Sequence, residues 1–108
     1  MSPGGESGFE IETEIDGARI LVAPRGEIDA YTSSRLYEGF AGVGDVAGRH
    51  VVVDLAGVGF VDSAGLSALV SCLQGVSDRG GAITLRSATR QLAKLFEITG
   101  LTRLFPME

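Results

Sequence analysis

Val53-Asp54-Leu55, followed after four residues by Phe60-Val61-Asp62-Ser63-Ala64-Gly65-Leu66, is the stretch whose reading decides the fold. Its first half ends the run His50-Val51-Val52-Val53-Asp54-Leu55. That run is nearly continuous in β-branched residues, as in a strand covered on both faces, and so predicts a central strand. The second half opens an amphipathic helix from about Ser63 to Asp78. In it Leu66, Leu69, Val70 and Leu73 recur at i, i+3, i+4 and i+7 and are expected to face the core. Gly57-Val58-Gly59 between the halves reads as a turn.

Upstream, Phe9, Ile11, Thr13 and Ile15 predict a strand, Asp16-Gly17 a tight hairpin turn, and residues 18–23 a second, antiparallel strand. Residues 24–31 read as a loop. Thr32, Ser33 or Ser34 then caps a helix with Leu36, Tyr37, Phe40 and Val43 on one face, ending near Gly44. Gly39 and Gly42 weaken that helix. Downstream, residues 82–86 predict a strand. Thr89 opens a helix presenting Leu92, Leu95, Phe96 and Thr99, with Gly100 as its C-terminal cap, and Leu104-Phe105 predicts a short extended piece. The order ββαβαβα(β) implies an α/β fold whose sheet is mixed because of the opening hairpin.

With 108 residues, 44% apolar and 21% charged, the chain fits one domain able to bury roughly 60–70% of its unfolded surface. Residues 1–8, rich in Gly, Ser and Pro, read as a solvated tail. The net charge of −5 argues against nucleic acid or an anionic membrane as partner and points to a protein. No apolar run reaches about 18 residues and the start lacks the pattern of a signal peptide, so a cytoplasmic location is expected. One cysteine, Cys72, and one histidine, His50, cannot form an internal disulfide or a structural zinc site. No cofactor is expected. The acidic surface, without obvious apolar stripes beyond the core, suggests a monomer.

Glycine-rich signatures fail on context. Gly42-Val43-Gly44-Asp45-Val46-Ala47 matches a dinucleotide fingerprint but follows a helix, where pyrophosphate binding needs strand, turn and helix. Gly57-Val58-Gly59-Phe60-Val61-Asp62 has the right context but sets Asp62 where the third glycine belongs. No P-loop pattern occurs. A nucleophile elbow at Ser63 would need glycine at Val61, and His50, the sole candidate base, lies at the far end of its strand. What remains is Asp62-Ser63-Ala64-Gly65 between strand and helix. Here Asp62 or Ser63 would cap the helix, worth about 1 kcal/mol. Ser63, Ser67 and Ser71 repeat at i, i+4 and i+8 along the other helix face. Such a stripe costs helix stability without adding core packing, so it is either a plain solvated face or a flat contact surface.

Three segments together resemble the STAS family (sulfate transporter and anti-sigma factor antagonist domains), above all its free-standing bacterial anti-sigma factor antagonists. They are Gly26-Glu27-Ile28-Asp29 with Thr32, the opening stretch with Asp62-Ser63-Ala64-Gly65-Leu66, and Leu95-Phe96-Glu97-Ile98-Thr99-Gly100-Leu101. The resemblance spans residues 9–105. It implies a single STAS-like α/β domain over residues 9–108, with a mixed four- to five-stranded sheet, an antiparallel opening hairpin and helices packed against the sheet. It also implies a non-enzymatic role. The unphosphorylated protein would bind an anti-sigma factor that is also a serine kinase of the histidine-kinase-like ATPase fold, freeing a sigma factor. Phosphorylation of Ser63 would end that binding, and a serine phosphatase would restore it. ATP and Mg²⁺ would belong to the partner. Carried onto this chain, the partner surface comprises Glu27, Asp29, Thr32, Asp62, Ser63, Ala64, Gly65, Ser67 and Ser71. Ala64 stands where the family often has Ser or Thr, leaving Ser63 as the single hydroxyl of the motif. Asp29 and Asp62 are read equally as presenting Ser63 to the kinase and as turn and cap residues. The same resemblance admits a stress-signalling scaffold or a soluble lipid-transport component.

Overall fold

The structure, a computed structural model, describes residues 8–108. Of the tail read over residues 1–8, only Gly8 falls within it. The elements are β1 (Glu10–Asp16), β2 (Arg19–Ile28), α1 (Ser33–Ala41), β3 (His50–Asp54), β4 (Val58–Val61), α2 (Ser63–Asp78), β5 (Ala82–Arg86), α3 (Arg90–Ile98) and α4 (Leu101–Leu104). The sheet has five strands in the order β1-β2-β3-β5, with β4 also paired to β2. β1 and β2 are antiparallel, and the other pairings are parallel, as the reading of a mixed sheet required.

The strand over residues 50–54 is central, and Val51, Val52 and Val53 are all buried. Val51 and Val53 join Ile20, Val22, Ile28, Leu69, Leu73, Leu85 and Phe96 in one core cluster. On the opposite sheet face, Val52 is buried near two polar pairs. His50 Nε2 lies 2.6 Å from Thr84 Oγ1, and Arg86 Nη2 donates to Asp54 Oδ2 at 3.2 Å.

Several elements depart from the sequence reading. β2 runs on through residues 24–28, which had read as loop. Pro24 lies opposite Ile11 where β2 changes partner on its other side. The β3 register ends at Val22 and the β4 register begins at Gly26, so a residue without an N–H is tolerated there. β4 had read as a turn because glycines flank Val58, yet Val58 is fully buried and the turn is confined to residues 56–57. α1 ends at Ala41 and Tyr37 lies outside the core, although Val43 stays buried. Leu104 belongs to a single helical turn rather than an extended piece. Met107 instead bridges Leu85 in parallel, covering the β5 edge. Gly100 takes the left-handed conformation (φ 80°) just beyond α3, as its reading as a helix end required.

Candidate functional site

Two chain segments meet at the C-terminal ends of β2 and β4. Their pairing, Glu27 with Phe60 and Ile28 with Val61, is continued by the Asp62 N–H donating to the Ile28 carbonyl at 3.2 Å. This sets the segment after β2, residues 29–32, beside the start of α2. The approach is close because residue 65 is glycine. A Cβ there would stand 1.9 Å from the Ile28 carbonyl oxygen and 2.9 Å from the Asp29 nitrogen. Gly65 is therefore buried and shapes the site from beneath.

At the α2 terminus, Asp62 is the cap: its Oδ1 accepts the Gly65 N–H at 2.7 Å. Ser63 is the first helical residue and is exposed, as are Ala64, Ser67 and Ser71. The serine stripe thus faces solvent over two turns. The face turned inward is Gly65, Ala68, Leu69, Cys72, Leu73 and Val76. Leu66 and Val70, expected to face the core, are half-buried at its flank, because small Gly65, Ala68 and Cys72 let the helix settle onto the sheet rotated toward them. Burial pushes the Cys72 thiol up to about 11, with the Arg79 charge pulling the other way.

The segment after β2 is built by its own polar groups. Asp29 Oδ1 accepts the N–H groups of Tyr31 (2.9 Å) and Thr32 (3.0 Å). Thr32 Oγ1 accepts from the Asp29 N–H and donates to the Glu27 carbonyl, each at 2.9 Å. Thr32 occupies the residue before α1, but its hydroxyl is turned back into this turn and makes no capping bond to the helix. It is buried, so it shapes the surface without offering a side chain to it. Of the predicted surface, Glu27, Ser63, Ala64, Ser67 and Ser71 are exposed and Asp29 and Asp62 are half-buried. The turn and cap readings of Asp29 and Asp62 both hold.

The structure adds residues that the pattern did not single out. Tyr31 is 92% exposed and Phe60 49%. Leu66, Ser67 and Val70 line a groove of about 370 Å³ with Thr99, Leu101 and Leu104, and Leu104 is 63% exposed. The surface therefore carries an apolar groove beside the serine stripe, where no apolar feature beyond the core was expected. Tyr31 and Phe60 followed from no periodicity, since one lies in an aperiodic turn and the other, part of the opening stretch, lies just past the Gly57-Val58-Gly59 turn in a strand that was not predicted.

His50 is remote from Ser63. It pairs with Arg19 at the start of β2, whereas Val61 pairs with Ile28 at its end, about 30 Å away at the ordinary strand rise. No serine–histidine dyad forms. Among the described residues, no three His, Cys, Asp or Glu side chains gather as a metal site would need, and no helix is long and apolar enough to cross a membrane.

The family model described as "Mlab, STAS domain" matches residues 11–106. The chain belongs to the STAS domain family. Among its STAS relatives, an anti-sigma-B factor antagonist of Listeria monocytogenes is 35% identical over 91 residues, 84% of this chain and 78% of that protein. The crystal structure of an anti-sigma factor antagonist from Mycobacterium paratuberculosis superposes with TM-score 0.73 at 27% identity, covering 98% of this chain and 87% of that one. The phosphorylated form of the Bacillus cell fate determinant SpoIIAA shares the fold, with TM-score 0.67 at 16% identity over 93% of this chain and 90% of that one.

Proposed function

We propose that this STAS domain is an anti-sigma factor antagonist whose unphosphorylated form binds an anti-sigma factor and so frees a sigma factor. The partner is also the serine kinase, a histidine-kinase-like ATPase, and its action on Ser63 switches binding off. The names of the relatives support the role, and one observation carries the switch. Ser63 is an exposed hydroxyl at the first residue of a helix, with Ala64 beside it and no second hydroxyl in the motif. In the transfer, Ser63 Oγ forms an ester bond to the γ-phosphorus of ATP held by the partner. The bond to ADP breaks, and the hydroxyl proton passes to a base on the partner. A serine phosphatase reverses the state by hydrolysis. The domain itself works in the cytoplasm as a monomeric binding module, not as an enzyme.

The physical basis is the location of the new charge. A helix N-terminus tolerates an anion, so the fold survives. The added charge of about −1.5 to −2 nevertheless stands next to the Asp62 carboxylate on a surface shaped for a hydroxyl, and docking is lost. A penalty of about 3–4 kcal/mol, roughly 200- to 1000-fold in Kd, suffices. Calorimetry with the purified partner should show Ser63→Ala binding like the unmodified protein and Ser63→Glu binding at least about 200-fold more weakly. Both should melt near the wild-type temperature. Equal affinity of the two variants, or unfolding of Ser63→Glu, would overturn the surface-switch reading. A scaffold or lipid-transport role would instead leave Ser63 unmodified when the kinase and ATP are supplied.

A further inference from the structure

We propose that Tyr31 is an anchoring residue of the docking surface, its ring entering an apolar pocket of the anti-sigma factor kinase; this rests on the function proposed above. Tyr31 is 92% exposed, the most exposed large apolar residue among the described residues, so it adds almost nothing to the core. Its backbone, by contrast, is held firmly. Its own N–H is bound by Asp29 Oδ1, the next N–H by the same oxygen, and the Thr32 hydroxyl ties the turn back to the Glu27 carbonyl. Ser33 Oγ donates to the Ala30 carbonyl at 3.1 Å, fixing the residue on the other side. A rigid backbone under a freely exposed aromatic is the arrangement that lowers the entropy cost of binding, and tyrosine is among the residues on which interface energy concentrates.

The occupant follows from the close packing at Gly65. Because Gly65 in the first turn of α2 packs on the backbone of Ile28 and Asp29, the turn that carries Tyr31 adjoins the start of α2, at the surface where Ser63 is exposed. A kinase that brings the γ-phosphate of ATP to Ser63 Oγ must cover that surface. A second copy of this chain is the poorer occupant. It would set the carboxylates of Glu27, Asp29 and Asp62 against one another in a chain of net charge −5.

The test uses the full chain and the anti-sigma factor kinases of its source organism, each purified and titrated against wild type, Tyr31→Ala, Tyr31→Phe, Ser63→Glu and, as a control on α1, Tyr37→Ala. Tyr31→Ala should melt like wild type yet bind at least about tenfold more weakly, as truncating an interface anchor does. Its KM as a phosphorylation substrate should rise with kcat retained, whereas Tyr31→Phe and Tyr37→Ala should stay near wild type. If Tyr31→Ala binds normally while Ser63→Glu fails, the anchoring role is overturned and the switch stands. A lowered melting temperature in Tyr31→Ala would show that the ring serves the fold and would equally overturn it. If no such kinase binds wild type, or Ser63→Glu binds as well as wild type, the functional reading falls and Tyr31 with it.

Discussion

At Gly65 a single missing methyl group sets how the candidate site is assembled. The space a side chain would take is filled by the Ile28 carbonyl, 1.9 Å from where a Cβ would be. The same residue's N–H donates the cap bond to Asp62 Oδ1 at 2.7 Å. Gly59 is the contrast: it lies in β4 with nothing within 4 Å of a would-be Cβ. Gly65→Ala should therefore cost about 3 kcal/mol, since backbone must move to admit the methyl group, whereas Gly59→Ala should be neutral or stabilise by about 0.5 kcal/mol by restricting the unfolded chain. Urea unfolding of the two variants measures both. Equal effects would mean that the site is not locked by this packing. Asp29 shows the same economy on the other segment, where one carboxylate oxygen holds two N–H groups and so fixes where Tyr31 stands.

In α2, one helix serves three surroundings on three sides. Gly65, Ala68, Leu69, Cys72, Leu73 and Val76 meet the core, Ser63, Ser67 and Ser71 meet solvent, and Leu66 and Val70 open the groove toward Leu101 and Leu104. Cys72 reports on the inner side. Its thiol stays neutral in the folded helix until about pH 11, because burial opposes the thiolate, while in the unfolded chain it ionises near its ordinary 9. Between these values the unfolded state has lost a proton that the folded state keeps. The contribution to stability is therefore complete below pH 9 and is lost as pH rises through 11. Over that window wild type should lose about 2 kcal/mol more unfolding free energy than Cys72→Ala, read from urea titrations at several pH values. Parallel pH profiles would mean that Cys72 is not buried as described.

Over the whole molecule, the last residues complete the sheet. Phe105 is buried, the Leu85 N–H donates to the Pro106 carbonyl at 2.8 Å, and the Glu108 N–H donates to the Leu85 carbonyl at 2.8 Å, so the β5 edge is covered by the chain's own end. Phe105→Ala should cost about 3–5 kcal/mol, a large share of the roughly 5–15 kcal/mol that holds a domain of this size, and lower the urea midpoint accordingly. A midpoint within error of wild type would show that this segment is not part of the folded unit. The central strand, the α2 span, the opening hairpin and the hydroxyl at Ser63 were all legible in the residues. Each rests on a local pattern: a β-branched run, a 3.6-residue period, an Asp-Gly turn, a cap. The extension of β2 through Pro24, the existence of β4 and the turn of α2 toward its small residues were not legible. Each depends on which strand lies alongside and how near a helix can come, and neither distance is written in local periodicity. The chain by itself determined where a helix-start hydroxyl, a capping carboxylate and a missing second hydroxyl stand, because these are matters of identity and spacing, whereas the switch proposed at Ser63 rests on the family resemblance. Only the tertiary structure decided that the turn after β2 packs beside the start of α2, because the parallel β2–β4 pairing and the close contact at Gly65 bring together segments some thirty residues apart.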